Sequence, residues 1–234
     1  MCPLPSGRAC PAPSTSTGCS RSPSAASWPP TSAGTVSCST WAAGSPRGCC
    51  RTVSCRPSAN SCRCGWTSWA APPGSVTDVV LSHLHIDHVG WASTSGVPTF
   101  PRAGHHIHTA DWKHYVDGDA DDAVRRKVGP LRDTALLWDG DSVAPFDWLR
   151  LVHAPGHTPG TSVALIESRG QSLALVGDLF HHPAALDHPH WRCGFDWDTQ
   201  QAAAARTEWL ERLRTTRTPL VGPHFPGLEP VMLR

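Results

Sequence analysis

Over the first 75 positions apolar residues follow no period. Leu4, Val36 and Val53 are the only Leu, Ile or Val there, set among 16 Ser and 11 Pro, with no Phe or Tyr. Such a segment cannot bury enough apolar area to offset its chain entropy, which predicts disorder over residues 1–75. From Val76 the pattern changes. Val76-Thr77-Asp78-Val79-Val80-Leu81 is β-branched and apolar and predicts a buried strand ending at Ser82. His-His-Ile-His at 105–108 predicts another short strand, and 110–116 and 121–128 predict short helices. Runs at 148–152, 161–166 and 172–176 predict three more strands, the last two joined by a turn over 167–171. Ala202, Ala205, Trp209 and Leu213 recur at helical spacing and predict the longest helix, 199–214, with Asp198 as its N-cap. Strands mixed with helices indicate an α/β or α+β layered domain over residues 76–234.

Composition narrows this picture. A chain of 234 residues fits one domain, or one domain with a tail. No apolar run approaches the roughly 18 residues of a membrane-spanning helix, and the first residues lack the pattern of a signal peptide, so the expectation is a cytoplasmic protein without a membrane partner. The net charge of +1 hides two unlike parts. Residues 1–77 carry six Arg and no acid, whereas 78–234 hold all 19 acids against 14 basic residues, giving +6 and −5. The near-neutral sum offers no general field for nucleic acid.

Nine of the ten cysteines lie at or before Cys64, yet no CxxC occurs and every histidine lies at or after His83. Neither a zinc finger nor an export-dependent disulfide scaffold fits that spacing. A Ser/Pro tail is the simpler reading, but the cysteines with Trp28, Trp41, Trp66 and Trp69 are odd for one. GC-rich coding DNA translated out of frame would give this Arg, Pro, Ser, Cys, Trp and Gly composition. The hypothesis that the frame is wrong before about residue 72 is tested by translating the other two frames.

The chemistry concentrates in Ser82-His83-Leu84-His85-Ile86-Asp87-His88-Val89-Gly90, directly after the first apolar run. Imidazole and carboxylate are the ligands of zinc and similar ions, and alternation in an extended segment puts His83 and His85 on one side. One HxH is a weak signal, but HxHxDH after an apolar strand is far more specific. His157 sits in a Gly/Pro-punctuated loop, Asp178 ends an apolar run, and His224 follows Pro219-Leu220-Val221. Each alone is more often structural. Together, after strands, they point to one site at the strand ends of an α/β fold.

This arrangement resembles the metallo-β-lactamase superfamily over about residues 76–234, nearest its lactonase and organophosphate-hydrolase-like members. The resemblance implies an α/β fold, an αββα sandwich, whose N-terminal half is missing or disordered in residues 1–75, since no acid precedes Asp78 to form the usual upstream turn. It implies two divalent ions, zinc first, with manganese, iron or cobalt as alternatives. His83, His85 and His157 would hold one ion and Asp87, His88 and His224 the second, with Asp178 bridging both. The implied reaction is hydrolysis by hydroxide held between the ions, attacking a small-molecule ester, lactone or phosphoester. Asp178 and Asp87 are the candidate catalytic carboxylates, Asp87 as a proton shuttle. Tyr115, the sole tyrosine, lies outside the matched motifs, so a donor to the substrate oxygen is unassigned.

His181 and His182 follow Asp178 closely enough to line a pocket or orient a ligand, and fit an exposed turn equally well. Trp91, Phe180 and Phe225 flank three motifs as a substrate wall or as core. Two further hypotheses stand beside the hydrolase, an inactive metal-binding remnant and an iron-dependent redox member of the same fold. Oligomeric state and substrate identity are open at this stage.

Overall fold

The computed structural model describes residues 73–234 together with the backbone of 35–38. The first described strand, β1 (Thr35–Cys38), was not anticipated from the apolar pattern. It pairs parallel with β2 (Val76–Val80), Val36 opposite Asp78 and Cys38 opposite Val80. The rest of the expectation for residues 1–75, disorder and misreading of frame alike, falls outside the described residues apart from a short 3₁₀ turn at Pro73–Ser75.

Past β2 come α1 (Ile86–Val89), the small hairpin β3 (Ser93–Thr94) and β4 (Val97–Pro98), and β5 (Gly104–His108). Helix α2 (Thr109–Asp111) runs into a π-helical stretch at Trp112–Asp117, followed by α3 (Asp122–Val128). Strand β6 (Ala135–Trp138) completes a parallel sheet in the order β1-β2-β5-β6. The second sheet comprises β7 (Ser142–Phe146), β8 (Leu149–His153), β9 (Ser162–Ser168) and β10 (Gln171–Leu175). Helix α4 (Thr199–Thr216) then leads to β11 (Leu220–Val221), which joins the second sheet in the order β11-β10-β9-β8-β7.

Three apolar clusters set the layers. Val79 of β2 and Ile107 of β5 pack with Val89, Trp112, Val116, Val124 and Val128 of the helical segments that cover the first sheet. Val80, the next residue along β2, faces the other way and meets Trp138, Leu149, Leu151 and Ala164, so the two sheets pack face to face. On the far side, Val163, Leu165 and Ala174 pack with Ala205, Trp209, Leu210 and Leu213 of α4. The order helix, sheet, sheet, helix is the αββα sandwich expected from the resemblance.

Helix α4 forms where its apolar spacing predicts, and Asp198 caps it by accepting from the Gln200 and Gln201 N–H groups, each at 2.9 Å. Asp121 caps α3 in the same manner. Strands β6 and β7 were not predicted. The apolar run of β6 is only four residues, with Leu136 and Leu137 exposed, and a run so short carries no period. No helix among the described residues is long and apolar enough to cross a membrane.

Candidate metal centre

The HxHxDH segment leaves the sheet before its first histidine. Strand β2 ends at Val80, residues 81–85 form a loop, and Asp87 and His88 lie on the single turn of α1. Ending the strand early lets His88 turn into the protein, where it is buried, while Asp87 stays half exposed. Asp178 likewise stands beyond its strand, in a 3₁₀ turn at Gly177–Leu179. His157 comes from the turn after β8, and His224 from the turn after β11.

Buried carboxylate Asp111 joins two of these loops. Its Oδ2 accepts from the Leu84 N–H (2.9 Å) and the Thr158 hydroxyl (2.9 Å), and its Oδ1 from the Gly160 N–H. Leu84 sits between His83 and His85, and Thr158 follows His157, so one side chain sets the spacing of three histidines. Burial raises the Asp111 pKa to about 6 against these donors. The His157 loop also lies against α4. A Cβ on Gly156, which has φ +134°, would come within 2.2 Å of the Ala202 nitrogen, so glycine is required for that approach.

The ligating-type atoms form two sets. His83, His85 and His157 offer ligand atoms within 4.8 Å of one another, as do Asp87, His88, Asp178 and His224. Asp178 Oδ2 ties the sets together, at 3.3 Å from His88 Nε2, 3.2 Å from His224 Nε2, 3.5 Å from His157 Nε2 and 3.9 Å from His83 Nε2. Ligands at about 2.0–2.1 Å from a zinc ion stand about 3.3 Å apart in a tetrahedron, whereas charge-assisted hydrogen bonds run about 2.7–2.9 Å. The separations to His88, His224 and His157 lie near the tetrahedron edge, and that to His83 is longer.

Several of the same atoms are buried without a hydrogen-bond partner, namely His83 Nε2, both His88 nitrogens, His157 Nε2 and Asp178 Oδ1. Orphaned buried polar atoms cost about 1–3 kcal/mol each, and so many in one place fit a group that supplies the missing bonds. The other ring nitrogens are engaged, His83 Nδ1 with Ser82 Oγ at 3.2 Å and His157 Nδ1 with Asp196 Oδ1 at 3.2 Å. That pairing leaves each Nε2 facing the cluster. The donor set, imidazole and carboxylate, suits a divalent ion of the zinc class.

Electrostatics follow from the crowding. Burial drives the His83 pKa well below its ordinary value and the His85 pKa to about 4, so both rings are neutral, the form a metal requires. Burial opposes charge on His88 too, but the negative Asp178 and Asp87 carboxylates, 3.3 and 3.4 Å from its Nε2, outweigh it and raise its pKa to about 9. Burial would raise Asp178, yet His181, His224 and His88 hold it well below the usual carboxylate range. The His88 ring 3.4 Å away lowers Asp87.

Among the remaining candidates, His181 places Nδ1 3.1 Å from Asp178 Oδ2 and stacks on His224 with ring centroids 4.4 Å apart. His182 turns away and accepts from the Ala184 N–H as the cap of a 3₁₀ turn. Phe180 and Phe225 are buried in the cluster under α4 and leave no face for a substrate, so they are core and not a pocket wall. Trp91 is half-buried. Tyr115, set aside on sequence, stands edge-on to His85 with ring centroids 6.0 Å apart.

Sequence reasoning missed Asp111, Asp196 and Arg206. One signal was present: Arg206 falls on the apolar face of α4 with Ala202, Ala205 and Trp209, and a buried guanidinium demands an anion. Its partner is Asp196.

Comparison with known proteins agrees with this fold. Probable metallo-hydrolases Rv2300c of Mycobacterium tuberculosis and Mb2322c of Mycobacterium bovis are each 27% identical over 127 residues, covering 48% of this chain and 39% of the relative. The chain thus spans about two fifths of the curated relatives it matches. Among solved structures, AidC, a dizinc quorum-quenching lactonase in complex with a product, superposes with a TM-score of 0.64 at 23% identity, covering 71% of this chain and 63% of that one. Hydrolase AbOPH of the beta lactamase superfamily gives 0.65 at 20% identity, with coverages of 72% and 64%. At these identities the likeness establishes the fold. Residues 66–218 match the Metallo-beta-lactamase superfamily, and the chain belongs to that superfamily.

Proposed function

We propose that the protein is a dinuclear-metal hydrolase acting on a small-molecule ester, lactone or phosphoester. One observation carries this proposal: four separate chain segments bring seven His and Asp side chains into two adjacent ligand-sized sets, with Asp178 Oδ2 of one set 3.5 Å from His157 Nε2 of the other. His83, His85 and His157 would hold one ion, and Asp87, His88 and His224 the other, with Asp178 between them. Two such ions, zinc before manganese, iron or cobalt, would supply Lewis-acid polarisation of the substrate oxygen and would lower the pKa of water toward neutrality.

The chain's own residues supply the rest. Burial keeps His83 and His85 neutral and free to coordinate. Asp111 fixes the loops that carry them, so the ligand geometry is set before substrate arrives. Asp87, about half exposed and 3.4 Å from His88, can accept a proton at its carboxylate and release it to solvent. His181 holds a nitrogen beside Asp178 with a third of its side chain exposed, a placement suited to meeting a substrate or leaving-group oxygen.

Lactones head the list of substrates because the structural relatives include AidC with an acyl-homoserine product and an N-acyl homoserine lactone hydrolase. The test is to load the chain with zinc or cobalt and measure turnover on lactones, aryl esters and phosphotriesters. Metal-dependent turnover on one class supports the proposal and names the substrate. Bound metal with no turnover on any class would favour the inactive remnant.

A further inference from the structure

Behind the metal centre lies a second, fully buried set of groups in which His157 Nδ1 stands 3.2 Å from Asp196 Oδ1, and Asp196 Oδ2 stands 3.3 Å from Arg206 NH1. The side chains of His157, Asp196 and Arg206 are 1%, 0% and 3% exposed, so water replaces none of these contacts. Arg206 is itself pinned, since its Nε donates to the Pro189 carbonyl and its NH2 to the Trp191 carbonyl, both at 2.7 Å. Asp196 Oδ2 also accepts from the Cys193 N–H at 3.3 Å. Trp197 and Asp198 complete the join, their N–H groups donating to the His157 and Gly156 carbonyls.

Resting on the metal-centre proposal above, we propose that Asp196, locked by Arg206, is a positioning residue that sets the tautomer and direction of His157. The carboxylate oxygen facing Nδ1 accepts a hydrogen bond from the Nδ1–H, which keeps the proton there and leaves the lone pair on Nε2, the atom aimed at Asp178. A histidine that ligates through one nitrogen needs such a partner on the other, and losing it costs about 10 to 100-fold in metal affinity. Because Arg206 belongs to α4 and Asp196 to the loop before it, the outer helix holds a ligand of the inner site.

Asparagine at position 196 separates this role from simple packing. Its single oxygen cannot serve both sides, and the Arg206 and Cys193 donors attract it more strongly than one imidazole N–H does. The amide NH2 then faces His157 Nδ1 and favours the tautomer with the proton on Nε2, which cannot ligate. The same neighbourhood also admits a rival role, since His157, Cys193 and Asp196 offer three ligand atoms within 4.8 Å of one another.

The test measures zinc affinity and stoichiometry of the full chain by chelator competition for wild type, Asp196→Asn and Cys193→Ser. Nitrogen-15 NMR of the histidine side chains in the zinc-loaded wild type reports which His157 nitrogen carries the proton. The expected result is a 10 to 100-fold weaker affinity for one of two ions in Asp196→Asn, no change in Cys193→Ser, and a His157 proton on Nδ1. Equal affinity in wild type and Asp196→Asn would overturn the positioning role while leaving the metal centre intact. An equal loss in Cys193→Ser would overturn it in favour of a ligand role for the trio. If Asp196→Asn does not fold, the NMR decides: a wild-type His157 that ligates through Nδ1 contradicts the proposal. Wild type that binds no zinc removes the metal centre and this inference together.

Discussion

Replacing Asp111 with Asn tests how the two loops that carry His83, His85 and His157 are held. Asp111 Oδ1 accepts from the Gly160 N–H, and Oδ2 from both the Leu84 N–H and the Thr158 hydroxyl. Whichever way the amide of Asn points, its NH2 meets one of two buried backbone N–H groups. A buried donor left unsatisfied costs about 1–3 kcal/mol, so Asp111→Asn should lose about that much of a total of order 5–15 kcal/mol. A protonated Asp111 escapes this penalty, because its O–H can donate to Thr158 Oγ1 while the same oxygen accepts from Leu84. The pH dependence then has a definite sign. Burial raises the folded pKa from 3.8 to about 6, so the titrating contribution of Asp111 is full below about pH 4 and is lost as pH rises through 6. The wild-type advantage over Asp111→Asn should therefore be larger at pH 5 than at pH 7, by about 1 kcal/mol. Urea unfolding of both proteins, metal-free, at the two pH values reads this directly. A stability difference under about 0.5 kcal/mol, or a gap that narrows on acidification, would refute the reasoning.

Asp178→Ala should abolish binding of both ions and turnover, whereas His182→Ala, whose ring only caps a 3₁₀ turn, should stay within about tenfold of wild type in activity; zinc content and initial rates check both, and equal mild losses would remove Asp178 from the bridge. Gly156→Ala should destabilise the fold by about 1–3 kcal/mol through the clash with the α4 backbone, seen as a lowered midpoint in thermal melts, with weaker zinc binding because His157 moves with the loop. Zinc binding should release a proton near neutral pH, since His88 starts out protonated below about 9, so affinity should rise about tenfold per pH unit between roughly 6 and 8. Calorimetry in buffers of different ionisation enthalpy measures that proton, and a pH-independent affinity would contradict it.

The site was legible because its chemistry is written in short runs. HxHxDH follows a β-branched strand, and His157, Asp178 and His224 each follow an apolar run, so position alone brought them to one edge of the sheets. The groups that orient them were not legible. Asp111 reaches Leu84, Thr158 and Gly160 across 27 to 49 residues, and no local pattern encodes a contact of that range. Arg206 left a trace as a cation on an apolar helix face, but its anion, Asp196, sits in a loop without period. Phe180 and Phe225 show the converse: closeness in sequence to Asp178 and His224 suggested a substrate wall as readily as core, and the turns that carry them bury both rings in the cluster with α4.

Crystals of the full chain grown with zinc, and an anomalous difference map at the zinc edge, test the central claim most directly. The account predicts two peaks per chain about 3.5–4 Å apart, one among His83, His85 and His157, the other among Asp87, His88 and His224, each in contact with Asp178. A single peak, or a peak held by residues that do not include Asp178, would contradict it.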